Sequence, residues 1–206
     1  QALDRATQAV LPLRGKILNV AAATSGKLMA NQELTDLVQA LGCGTGERYR
    51  ETELRYDKVI IMTDADVDGA HIASLLMTFF YREMLGLIEA GHLYLALPPL
   101  YRLSQGGKTA YARDDAHKKQ LLNQEFNGRG KVDVSRFKGL GEMPAAQLKE
   151  TTMQAGRRTL LRVVLPRDED DRTATADRVE SLMGRKPELR FAFIQEHARF
   201  VEAPDV

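Results

Sequence analysis

The stretch Lys58-Val59-Ile60-Ile61-Met62-Thr63-Asp64-Ala65-Asp66-Val67-Asp68-Gly69-Ala70-His71-Ile72 carries the strongest structural signal in this chain. Its first five residues are a continuous β-branched and apolar run, which predicts a strand covered on both faces of a parallel sheet. Beyond the acidic turn, Ile72, Leu75, Leu76, Phe79, Phe80, Met84, Leu87 and Ile88 recur at three- and four-residue intervals, as in one amphipathic helix ending near Gly91. Strand, acidic turn and helix make one βα unit. A second strand over 92–97 runs into Pro98-Pro99, which force an extended exit and complete another α/β step.

Asp64 and Asp66 stand two apart at the end of the first strand. If extended geometry persists through them, their carboxylates leave one face and can share a cation. Mg²⁺ suits such a pair, because it keeps several waters and is commonly held by one or two carboxylates together with substrate phosphates. The helix N-terminus expected near 69–72 adds backbone donors that favour a phosphate, with His71 on its first turn. The string from Asp64 also copies the opening of an EF-hand calcium loop. Its twelfth position is Leu75 instead of a bidentate Glu, however, and a strand precedes it where a helix is required. A plainer reading is that the aspartates cap the helix. Asp66 or Asp68 alone would do that, which leaves Asp64 unexplained. His71, Lys16 and Asn19 read equally well as ordinary surface or turn residues.

Across the whole chain, 206 residues with 44% hydrophobic and 28% charged side chains suffice for a real core in one large or two small domains. No apolar run is long enough for a spanning helix, and no secretory leader opens the chain, so a soluble cytoplasmic protein is expected. Cys43, the single cysteine, excludes a disulfide framework and thiolate-rich zinc, and reads as a buried thiol. Net charge is +1, so any nucleic-acid role must rest on local basic islands: Arg14/Lys16, Arg136/Lys138, Arg157/Arg158 and Arg185/Lys186. An acidic stretch, Asp168 to Asp171, offsets them. The chain starts at Gln1, inside a helix-compatible stretch over 2–8, which reads as a fragment.

Elsewhere, 9–13 is a candidate edge strand, and Leu34, Leu37, Val38 and Leu41 predict a helix from Asn31 to Gly42. Gly42, Gly44 and Gly46 suggest a mobile loop through residue 53. Gly106-Gly107 predicts a hairpin joining 101–103 to 109–112, and Asp114 a cap for a helix through Leu121 and Leu122. The remainder carries 132–137, a glycine turn at 139–141, and mostly helical patterns through Leu148, Leu160, Val179, Leu182 and Phe193.

Pro12-Leu13-Arg14-Gly15-Lys16-Ile17-Leu18-Asn19, the stretch from Ile60 to Ile72, Pro98-Pro99-Leu100-Tyr101 and Phe137-Lys138-Gly139-Leu140-Gly141-Glu142-Met143 follow one another in that order. Together they closely resemble the B subunits of bacterial type IIA DNA topoisomerases, and the resemblance covers essentially the whole chain. Asp114-Asp115-Ala116-His117, the wording around Arg14 and the lack of a long insertion after the acidic unit look more like topoisomerase IV than gyrase. The end, Arg199-Phe200-Val201-Glu202, looks like a natural terminus of that kind of protein.

The resemblance implies an α/β fold: a TOPRIM-type parallel sheet flanked by helices over 1–103, its first strand missing, then a smaller, mostly helical C-terminal subdomain over 104–206. It implies that Asp64 and Asp66 are catalytic metal ligands for Mg²⁺, with Asp68 a further contributor. Lys16, Asn19, His71 and, most loosely, Arg190 match DNA-contacting positions, while Lys138 and Glu142 support the site. The family's upstream metal-binding glutamate segment and its ATP-binding domain have no match here, so this piece alone should neither hydrolyse ATP nor possess a complete metal site. Implied partners are double-stranded DNA and an A subunit supplying the catalytic tyrosine, in an A2B2 heterotetramer acting at the nucleoid. Tyr49, Tyr56, Tyr81, Tyr94, Tyr101 and Tyr111 are then core or surface residues. Two rivals stand beside this reading: another Mg²⁺-dependent phosphoryl-transfer enzyme with the same paired aspartates, and a DNA- or subunit-docking module with no activity of its own.

Overall fold

The computed structural model describes residues 2–126 and 130–198. The terminal segment 199–202 noted above lies outside them. The chain folds into two compact units that exchange segments: the first comprises 1–12, 58–73 and 93–163, the second 13–57, 74–92 and 164–206.

All the strands assigned among the described residues lie in the first unit. β1 (Val59–Ile61) pairs parallel with β2 (Leu93–Ala96), Val59 opposite Leu93 and Ile61 opposite Leu95. This is the parallel pair that the apolar runs predicted, and Ile61 and Leu93 are buried. The third strand of the sheet, β6 (Leu160–Arg162), runs antiparallel to β2. Leu160 therefore belongs to a strand and not to the helical pattern expected there. Only three residues pair, too few for an alternation to register.

A second, antiparallel sheet has the order β4-β3-β5. β3 (Tyr101–Gln105) and β4 (Lys108–Ala112) form the expected hairpin, turning through Gly106 and Gly107 at φ 55° and 86°. β5 (Asp133–Arg136) pairs with the other edge of β3. Asp114 caps α5 (Asp115–Gln124) as expected, by accepting from the His117 N–H. Tyr101, Leu103, Ala112, Leu121 and Phe126 pack into one apolar cluster. α6 (Ala145–Leu148) leads directly into a π-helical turn over Lys149–Met153.

The second unit is helical. α1 (Ser25–Met29) precedes α2 (Gln32–Leu41), whose N-cap Asn31 accepts from the Leu34 N–H and whose stop, Gly42, is left-handed at φ 78°. The glycine loop that follows is shaped rather than loose. The Arg50 N–H reaches the Cys43 carbonyl at 2.7 Å, and two 3-10 turns, Gly46–Arg48 and Glu51–Glu53, carry the chain onward.

The long amphipathic pattern is not one helix. α3 (Val67–Glu83), whose residues to 73 belong to the first unit, is interrupted at Met84 (φ −141°, ψ 48°) before α4 (Leu85–Glu89). Phe80, Met84, Leu87 and Ile88 are all buried, so the burial pattern runs through the break and periodicity cannot reveal it. Gly86, just past the break, lies so near Tyr49 that a Cβ would meet its ring at 2.6 Å.

The acidic stretch is the head of α7 (Glu169–Met183): Asp168 accepts from the Asp170 and Asp171 N–H groups, and the acidic first turn suits the helix dipole. α8 (Pro187–His197) opens on its proline. Two expectations at the front are not met. Residues 2–8 form only a turn, closed by the Gln8 N–H on the Asp4 carbonyl at 2.8 Å, and 9–13 pair with no strand. Pro12 withholds a ladder donor there.

Cys43 is 0% exposed, and burial pushes its thiol above the usual cysteine range. At pH 7 a maleimide should therefore label the chain only as fast as the second unit opens, with the rate rising in urea in step with unfolding. Rapid labelling of the native chain would contradict this burial.

Candidate functional site

β1 ends at Ile61, the backbone bends at Ala65 and Asp66, and α3 starts at Val67. Extended geometry does not persist through the acidic turn, so Asp64 and Asp66 do not share a strand face. Each is instead anchored by a different backbone amide. Asp66 caps α3: its Oδ1 accepts from the Gly69 N–H at 2.6 Å and its carbonyl from the Ala70 N–H at 3.0 Å. The helix begins two residues before the expected 69–72, which moves His71 beyond the first turn, where it is exposed.

Asp64 is held from a distance of 76 residues in sequence, by the Leu140 N–H on its Oδ1 at 2.7 Å. Leu140 opens the 3-10 turn Leu140–Glu142, which follows β5. Glu142 braces that turn, its Oε2 accepting from the Lys138 N–H at 2.8 Å while its own N–H reaches the Gly139 carbonyl at 3.2 Å. Gly139 has extended backbone that any residue could adopt (φ −164°). Its role is spatial, since a Cβ there would stand 3.1 Å from Asp64 Oδ1 and 3.3 Å from Oδ2. Ala65, Pro98, Pro99, Phe137, Leu140 and Met143 line the small crevice beside the turn.

Lys138 and Glu142 were expected to support the site, and they shape the turn. Leu140 and Gly139, the residues that touch Asp64, were missed. A main-chain donor leaves no side-chain signal, and the one available clue was a pair of glycines flanking a single residue, the mark of close backbone approach.

Asp64, Asp66 and Asp68 are all exposed. Asp64 and Asp66 each accept an amide N–H on one carboxylate oxygen, and both carboxylates retain lone pairs that could meet a cation. Among the described residues no three His, Cys, Asp or Glu side chains converge as a metal cluster. This donor set fits a hard cation that takes most of its ligands from water and phosphate, as Mg²⁺ does, and not a closed protein cage.

The remaining expected site residues, apart from His71, belong to the second unit. Asn19 donates its side-chain amide to the Met183 carbonyl at 2.8 Å. Arg190 donates to the Leu182 and Gly184 carbonyls at 2.6 and 3.2 Å. Both meet at the C-terminal end of α7, where the last carbonyls of a helix need partners. Arg185, from one of the basic islands, donates to the Ala22 and Ala23 carbonyls. Lys16 is exposed.

Burial pushes the Tyr49 hydroxyl up to about 12 and raises that of Tyr111, the opposite of activation.

The family model described as Toprim domain matches residues 1–98, and that described as DNA gyrase B subunit, carboxyl terminus, matches 129–195. The chain is 62% identical over its whole length to the B subunit of DNA topoisomerase 4 from Bartonella bacilliformis, covering 30% of that protein. It is 66% identical over 203 residues, 98% of the chain, to the protein of the same name from Caulobacter vibrioides, covering 29% of it. To the DNA gyrase B subunit of Halalkalibacterium halodurans it is 49% identical over its whole length, covering 32%. The chain thus spans about three tenths of the length of these relatives. Fold, acidic turn and family models together define a Toprim-containing α/β protein. The chain belongs to the family of type IIA DNA topoisomerase B subunits, and stands nearer to these two topoisomerase IV proteins than to this gyrase.

Proposed function

We propose that this chain is the metal-binding, DNA-cleaving part of a topoisomerase IV-type B subunit. In the complete ATP-dependent enzyme it would change DNA topology by passing one duplex through a break in another, relaxing and decatenating DNA for chromosome segregation. The observation that supports this most is the acidic turn, with two exposed carboxylates, each fixed by a backbone amide, at the junction of a parallel strand and a helix. Ligands of α/β sheets gather at such carboxyl ends.

Asp64 and Asp66 would hold Mg²⁺, with Asp68 nearby in the first turn of α3. The ion would supply positive charge against the scissile phosphate and the oxygens around it. The chain's own task is to fix those two carboxylates before DNA arrives. The nucleophile would be a tyrosine of an A subunit, in an A2B2 assembly working in the cytoplasm at the nucleoid. Among the described residues no helix is long and apolar enough to cross a membrane.

For the DNA contacts, Lys16 and His71 are the exposed candidates. Asn19 and Arg190 would act through whatever donors remain after they tie down the end of α7. Phosphate contact by Lys16 predicts that Lys16→Ala reduces the salt dependence of DNA binding by about one counterion.

The deciding experiment is cleavage of supercoiled plasmid by the complete B subunit with its A partner, with Mg²⁺ and with chelator. Cleavage that requires Mg²⁺ and both subunits supports the reading; cleavage without the A partner would replace it with an independent phosphoryl-transfer enzyme. The nucleophile in this reading belongs to an A subunit, so the 206-residue chain by itself is expected to bind without cutting. That would make it, in isolation, the docking module of the second rival reading.

A further inference from the structure

Gly139 and Leu140 carry no acid, base or charge, yet they touch the one aspartate that capping leaves unexplained. We propose that Gly139 and the Leu140 N–H are positioning residues for Asp64. The amide holds Oδ1 and so fixes the orientation in which the carboxylate would meet a divalent cation. This rests on the reading of Asp64 as a metal ligand and adds how that ligand is aimed.

Asp64 lies beyond the end of β1 and is exposed, so no strand ladder holds it in place. The hydrogen bond from Leu140, at 2.7 Å, supplies the restraint. A backbone donor suits this work, because it carries no side-chain entropy of its own and its direction is set by the turn. Three features hold the turn in place: Glu142 receives the Lys138 N–H, the Phe137 N–H bonds the Leu100 carbonyl at 2.8 Å, and Phe137 and Met143 are buried. Gly139 is what allows the approach, since any Cβ would press on all three atoms of the carboxylate group. Gly141, two residues on, has nothing within 4 Å of such a Cβ and no left-handed φ. A Cβ is therefore crowded against the carboxylate at one glycine and meets nothing at the other, which provides an internal control.

The test compares the wild-type chain with Gly139→Ala, Gly141→Ala and Asp64→Asn, reading Mn²⁺ affinity by electron paramagnetic resonance and thermal stability by circular dichroism. Gly139→Ala should weaken Mn²⁺ binding about tenfold, the scale seen when groups that orient a metal ligand are lost. Gly141→Ala should bind as wild type. In the complete enzyme, cleavage by the Gly139→Ala variant should be restored by raising Mg²⁺, whereas Asp64→Asn should stay defective. If Asp64→Asn binds Mn²⁺ as well as wild type, it is the metal reading that fails. If Asp64→Asn weakens binding while Gly139→Ala does not, the positioning proposal is overturned and the metal reading stands.

A second measurement does not depend on the folding of the glycine variant. The Leu140 amide should exchange with solvent about tenfold faster in Asp64→Ala, which removes its acceptor, than in the wild-type chain. An unchanged rate would also overturn the proposal.

Discussion

Gly69→Ala is expected to destabilise the chain by about 2 kcal/mol, although alanine inside a helix ordinarily gains up to about 1 kcal/mol over glycine. The reversal comes from one contact. Gly69 lies in the first turn of α3, and a Cβ there would fall 2.0 Å from the carbonyl oxygen of Asp64, 2.8 Å from its carbon and 3.0 Å from its nitrogen. These are backbone atoms and cannot swing aside as the end of a long side chain would. Either the helix head or the acidic turn must move, and overpacking of this kind costs about 1–3 kcal/mol beyond the lost propensity gain. The same shift would disturb the Gly69 N–H bond to Asp66, so metal affinity should fall together with stability. Urea denaturation of the variant checks the first effect and Mn²⁺ titration the second. A variant as stable as wild type would mean that the head of α3 does not approach Asp64 this closely.

Asp64→Asn and Asp66→Asn should each lower Mg²⁺-dependent plasmid cleavage by the complete enzyme at least about 10²-fold, while leaving the fold nearly intact. That magnitude is the one associated with removing a single preorganised electrostatic group from a transition state. Asparagine keeps a side-chain oxygen, so it can still accept from the Leu140 N–H at position 64. At position 66 it remains a good N-cap for α3. Stability should therefore drop by only about 1 kcal/mol, as charge-assisted hydrogen bonds become neutral ones. The substitutions thus separate the two explanations of the acidic turn. If the aspartates serve only as cap and anchor, both variants cut DNA normally; if they hold the cation, cutting is lost in a folded protein.

Much of the architecture was legible in the residues alone. The run from Lys58 to Met62 and the approach to Pro98 pointed to the parallel β1–β2 pair, because strands covered on both faces must be continuously apolar. Asn31, Gly42, Asp114 and the Gly106-Gly107 turn marked element ends, because caps and tight turns are satisfied by residues within a few positions of one another. The motif order pointed to the family, which the matched relatives bear out.

Features that depend on neighbours far along the chain emerged only with the fold. The break at Met84 lies inside an unbroken burial pattern, and β6 is a strand only because β2 offers it an edge. Asn19 and Arg190, expected to reach for DNA, meet at the carbonyls ending α7. Asp64, which local capping could not explain, is held by an amide 76 residues away. Side-chain patterns report local geometry and burial. A main-chain hydrogen bond between distant segments has no residue type of its own, and the fold alone can bring its donor to its acceptor.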